Sequence, residues 1–62
     1  MRFRDFKEGQ RYLCRFNGDR FKVLDVFPKE NRVLVVWDGA PNYIAHVWRH
    51  ELRILMLERE DV

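Results

Sequence analysis

The stretch from Asn31 to Tyr43, N-R-V-L-V-V-W-D-G-A-P-N-Y, constrains this chain more than any other. Four consecutive apolar residues, Val33-Leu34-Val35-Val36, run into Trp37, and the run breaks at Asp38-Gly39. β-Branched side chains lose little rotamer freedom on a pleated sheet, and Asp-Gly readily supplies the positive φ of a tight turn. The stretch is therefore expected to form the central strand of a small antiparallel sheet, with Trp37 held at its rim.

The flanking sequence supplies partners for that strand. Residues 10–16 alternate, placing Tyr12, Cys14 and Phe16 on one face, the pattern of a half-buried strand. Asn17-Gly18-Asp19 is a hairpin signal. Residues 20–27 form a second strand, with Phe21, Val23 and Phe27 on one face and Leu24 and Val26 on the other. A strand apolar on both faces is expected where a sheet bends and closes on itself. Pro28 opens a turn, with its φ preset. Residues 43–47 read as a fourth strand, 48–51 as one short helical turn and 52–57 as a closing strand. Helix is the alternative for 52–59, because Leu, Met, Glu and Arg all favour it. The expectation is an all-β fold, a five-stranded antiparallel barrel with a short helical turn before the last strand. An N-terminal arm (1–8) would pack an aromatic onto the barrel (9–57), and an acidic tail (58–62) would follow.

A chain of 62 residues buries only about 60% of the surface it exposes when unfolded, so a dense core is needed. The single cysteine, Cys14, excludes an internal disulfide and suits a reducing compartment. Nine aromatic residues (five Phe, two Tyr, two Trp) can supply the core instead. No apolar run approaches the length of a membrane span and no signal region opens the chain, so a soluble, cytoplasmic protein without a membrane partner is expected. The net charge is +2, and eleven of the twelve cations precede the acidic tail, a mild pointer to an anionic partner.

Serine and threonine are absent, which removes hydroxyl nucleophiles of that type. No glycine-rich phosphate loop or acid–base pair stands out, so no enzyme and no cofactor are expected. His46 and His50 lie four apart but would share a face only on a helix, and a structural zinc site wants four convergent ligands. Neither histidine is assigned to a metal. Asp25, mid-strand among apolar neighbours, is expected to face outward or to pair with Arg20 or Arg32.

The segments G-Q-R-Y-L-C-R-F-N-G-D-R-F-K-V, V-L-V-V-W-D-G-A-P-N and V-W-R-H-E-L-R-I-L together resemble a Tudor-type domain of the SH3-like small-barrel class. The resemblance spans residues 6–57. It rests on Gly9 before the first strand, Cys14 within it, Phe16 and Phe21 flanking the turn, Trp37 before Asp38-Gly39, and Leu52-Arg53-Ile54-Leu55 near the end. Tudor domains that read methylated lysine or arginine hold the cation in a cage of aromatic faces. The resemblance places Phe16, Phe21 and Trp37 as three walls and Asn42 as a polar contact. The fourth wall falls at Ala40, with Tyr43 as its only substitute, so a methyl reader would have an incomplete cage. Type II dihydrofolate reductases also use a barrel this small, but their V-Q-I-Y pore segment is absent; its nearest counterpart is Tyr43-Ile44-Ala45-His46.

A chain this short is expected to act by docking onto something larger. The leading reading is a non-catalytic module that takes a protein or peptide partner through an aromatic rim of Phe16, Phe21, Trp37, Asn42 and Tyr43. The alternative is single-stranded nucleic-acid binding, with Arg11, Arg15, Arg20 and Lys22 around the first hairpin and Arg49 beside Trp48 neutralising phosphates while rings stack on bases. Exposed Val35, Phe27 and Met56 would leave room for self-association into a homo-oligomer.

Overall fold

The computed structural model describes residues 6–60 of the chain. Five strands, β1 (Arg11–Cys14), β2 (Arg20–Phe27), β3 (Arg32–Trp37), β4 (Ile44–Trp48) and β5 (Leu57–Arg59), form one antiparallel sheet in the order β4-β3-β2-β1-β5. A six-residue helix, α1 (Arg49–Ile54), follows β4. β3 is paired on both sides as expected, although β2 is the middle strand of the five. β4 and β5 end the order without pairing to each other. The sheet is therefore open where a closed barrel was expected.

The register builds the core in rows across the inner face. Tyr12 faces Phe21, which faces Trp37; Val23 faces Val35, which faces Ala45; Val26 faces Val33, which faces Val47. Tyr12, Phe21, Val23, Val33 and Val35 are fully buried, and Phe6, Val47 and Leu52 complete the interior. Four rings run through it in sequence. Phe6 lies 4.8 Å from Tyr12, Tyr12 lies 5.7 Å from Phe21, and Phe21 meets Trp37 edge to face at 4.8 Å. Such tilted pairs each add about 0.5–1.5 kcal/mol beyond the area they bury. Phe6 is thus an aromatic of the N-terminal arm packed onto the sheet; Phe3 falls outside the described residues.

A bulge explains why β2 looks apolar on both faces. The pairing with β3 slips between Val23 and Asp25, leaving Leu24 as the extra residue. Before the slip Phe21 and Val23 point inward, and after it Val26 does, so both sets serve one interior. The slip turns Asp25 outward opposite Leu34, where its Oδ1 accepts the Val26 N–H at 2.8 Å. A bulge bends the strand that carries it. The bend was legible, but as two-sided burial rather than as a change of parity.

Two turns follow their residues closely. β1 ends at Cys14, two residues earlier than the alternation suggests. Cys14 N–H bonds the Asp19 carbonyl at 2.7 Å, and Gly18 N–H bonds the Cys14 carbonyl at 2.7 Å. Gly18 adopts φ +81°, and the Asn17 side chain accepts the Asp19 N–H. Asn31 closes the 3-10 turn Pro28–Glu30 at φ 56°, a left-handed geometry that Asn tolerates better than most residues.

The last third departs from expectation. Residues 52–57 were read as a strand, yet helix extends through Ile54, and the strand occupies only Leu57–Arg59. Arg-His-Glu-Leu-Arg-Ile contains good helix formers, and Glu51 caps the helix by accepting the Trp48 N–H at 3.2 Å. Leu52 is buried and Leu55 partly so, three residues apart on one helical face. Met56 then takes φ 52° and redirects the chain into β5. Glu58 and Arg59, expected in the tail, are strand residues.

Candidate functional site

The aromatic rim does not assemble as expected. Phe21 is 0% exposed, locked between Tyr12 and Trp37, and presents no face to a ligand. Its register against Tyr12 and Trp37, the central row of the sheet, puts it there. The cage implied by the Tudor resemblance consequently lacks one of its three matched walls. Trp37 is half-buried, its ring packed against Phe21. Asn42 and Tyr43 are exposed in the β3–β4 loop, which is held by bonds from Ala40 N–H to the Trp37 carbonyl and from Tyr43 N–H to the Ala40 carbonyl. Phe16 is exposed, but it is tied to a different part of the chain.

That second place is a corner between the first hairpin and the end of α1. Arg15 N–H bonds the Met56 carbonyl and Phe16 N–H bonds the Leu55 carbonyl, both at 3.3 Å. These two successive turn bonds hold the segments together past the Cys14–Leu57 pair, where the β1–β5 ladder ends. Beneath them the Cys14 thiol donates to the Leu55 carbonyl at 3.3 Å. The turn bonds set Phe16 opposite Leu55, on either side of which Ile54 and Met56 are also uncovered. Phe16 is 68% exposed, Ile54 61% and Met56 60%. Scattered single apolar residues on a surface are ordinary, but here three large ones fall on two segments joined by hydrogen bonds. Met56 adds a backbone outlier, since a side chain other than Gly at positive φ is strained and strain gathers at functional surfaces.

Ile54 and Met56 were missing from the sequence-derived site. Reading 52–57 as a strand made them members of an alternating edge. Read as a helix, the inward pair Leu52 and Leu55 leaves Ile54 off the buried stripe, which is the signal that could have found it. Of the residues expected to drive self-association, Met56 is exposed, Val35 is fully buried, and Phe27 is half-buried under the Arg32 guanidinium, 4.1 Å from its ring centre.

Comparison with protein-family models, with characterised proteins and with solved structures finds no match.

The basic candidates carry carboxylates beside them. Arg11 pairs with Asp38, Arg15 with Glu58 at 3.2 Å, and Arg20 with Glu60 at 3.2 Å. Two of these acids were assigned to a tail set apart from the body; instead the chain folds them back against the hairpin. Lys22 is exposed on the outer face, in the row that runs Arg11-Lys22-Val36-Ile44. Arg49 opens α1, and its N–H bonds the Asn31 carbonyl at 2.7 Å. Exposed ion pairs are worth only about 0–1 kcal/mol, so they do not lock the arginines, but they cancel the local positive field. Arg32 is held by Glu30 and donates to His46 Nδ1 at 3.0 Å. Among the described residues, no three His, Cys, Asp or Glu side chains gather as a cation site, and no helix is long and apolar enough to cross a membrane.

Proposed function

We propose that this chain is a non-catalytic interaction module of the SH3-like small-barrel class, docking a protein or peptide partner through the corner formed by Phe16, Ile54 and Met56. The strand order β4-β3-β2-β1-β5, with a short helix before the last strand, supports the small-barrel reading. The observation that carries the functional reading is the corner itself: three large apolar side chains, each about two-thirds uncovered, on a backbone braced by turn bonds. A rigid frame presenting aromatic and Met side chains needs little ordering on binding, and the flexible thioether adapts to different partners. Arg53 is exposed and adjoins Ile54 in the chain, which favours a peptide with a carboxylate beside its apolar residues; Arg15, next to Phe16, is already paired with Glu58.

Selection of a displayed library of random peptides on the folded protein tests this reading. Enriched peptides should carry apolar residues beside Asp or Glu, and Phe16→Asp and Met56→Lys should each weaken them by more than about tenfold, about 1.4 kcal/mol. Peptides that bind both variants as tightly as the original protein would place the docking surface elsewhere.

A further inference from the structure

β4 is the second exposed feature, and it is a strand edge rather than a side-chain patch. Hydrogen-bonded pairs alternate along an antiparallel ladder, so one bond fixes the direction of every amide. Arg49 N–H bonds the Asn31 carbonyl; two and four residues before Arg49, Val47 faces Val33 and Ala45 faces Val35, so these two also point their backbone groups at β3. The bond from Asp38 N–H to the Arg20 carbonyl on the other side of β3 gives the same alternation. Ile44, His46 and Trp48 therefore turn their backbone groups away from the sheet. Trp48 N–H is taken by Glu51, which leaves the N–H and C=O of Ile44 and of His46 on an edge that no described strand covers.

Sheet edges are ordinarily guarded by charged side chains, proline, bulges or shortness. The opposite edge, β5, is three residues long and carries Glu58 and Arg59. β4 is Ile-Ala-His-Val-Trp, five residues with no Lys, Arg, Asp, Glu or Pro, paired to β3 without a slip. It is the unguarded edge.

We infer that a second copy of this chain pairs with it, β4 against β4, antiparallel about a two-fold axis through Ala45. In that register Ile44 of each copy faces His46 of the other. All four free groups of each edge are then satisfied, by four intermolecular hydrogen bonds, and the Trp48 cap stays intact. Ala45 meets its own copy at the axis, a close non-hydrogen-bonded pair that two small side chains fit without crowding. The same register sets Tyr43 across from Val47 on the inner face and Trp48 across from Asn42 on the outer face. Because β4 contains no Lys, Arg, Asp or Glu, a copy can approach without such charges meeting along the strand. Tyr43, Ile44 and Trp48 are 67%, 56% and 44% exposed. With large side chains offering roughly 150–250 Å² apiece, they supply about 700 Å² over both copies before the backbone is added. That is short of the roughly 1,200–2,000 Å² of a standard stable interface, so the dimer belongs to the weak, concentration-dependent class. Phe16, Ile54 and Met56 lie outside these contacts, so the dimer would present the docking corner twice.

Sedimentation velocity over a concentration series of the full chain tests the inference, with Ile44→Lys and His46→Pro alongside. Both substitutions sit on exposed edge positions. His46→Pro keeps the backbone bonds to β3, because the lost N–H points away from that strand, and gives up one exposed side-chain contact, Arg32 to His46 Nδ1. The wild type should shift reversibly from monomer to dimer as concentration rises, with the Ile44 and His46 amides gaining hydrogen-exchange protection over the same range. Both variants should remain monomeric with unchanged circular dichroism. A wild type that stays monomeric at millimolar concentration overturns the inference, and so does a dimer that both folded variants retain. Neither result bears on the Phe16 corner, which the peptide selection tests separately.

Discussion

Met56 offers a prediction whose size follows from the backbone. It adopts φ 52° just past the helix C-cap Leu55, the position where helices commonly place Gly. A left-handed conformation costs an ordinary L-residue about 1–2 kcal/mol. Met56→Gly removes that cost, but Gly gains freedom in the unfolded chain, returning about 0.4–1 kcal/mol. With the side chain largely in solvent, little packing is lost, so the net effect is a stabilisation of about 0.5–1 kcal/mol. For a domain of this size that raises the melting temperature by about 3–6 °C. Met56→Ala is the control, since it trims the side chain but keeps the Cβ and its clash. Thermal unfolding followed by circular dichroism should rank Met56→Gly above the wild type and Met56→Ala at or slightly below it. If Gly melts no higher than Ala, the left-handed residue is not a source of strain, and the argument for a tensioned corner fails. Met56→Gly should also lose affinity for the peptides selected on the native corner, a trade of binding for stability.

The two aromatic residues flanking the first hairpin should behave oppositely. Phe21→Ala should cost about 3–5 kcal/mol and leave the chain largely unfolded, whereas Phe16→Ala should change stability by less than about 0.5 kcal/mol in urea titrations. Equal effects would mean that the ring series from Phe6 to Trp37 is not the core. Replacing Glu58 and Glu60 by Gln should release Arg15 and Arg20 and strengthen single-stranded oligonucleotide binding at low salt, relative to a weak wild type; unchanged binding would show that these carboxylates do not hold the positive field in check.

Much of the sheet was legible in local pattern. The limits of β2 coincide with the Arg20–Phe27 run, β3 with the valine-rich stretch, and the first turn with Asn-Gly. What stayed hidden depends on residues meeting from far apart. Nothing local distinguishes Phe16 from Phe21; only the Tyr12–Phe21–Trp37 row buries one, and only the early end of β1 leaves the other outside. The bulge at Leu24 is invisible as a bulge because extra apolar residues also suit a bent strand. The pairing of Glu58 and Glu60 with arginines some forty positions earlier has no signature in composition, so the basic body was overcounted. In the last third two periods compete, and the helix-forming residues of 49–54 win over an apolar run that also reads as strand.

The most direct measurement is solvent paramagnetic relaxation of the side-chain protons in the folded chain. The Met56 and Ile54 methyls and the Phe16 ring should be strongly relaxed, while the Phe21 ring and the Val23, Val33 and Val35 methyls should be shielded. A Met56 methyl as shielded as that of Val35, or a Phe21 ring as accessible as that of Phe16, would contradict the division into sealed core and open docking corner.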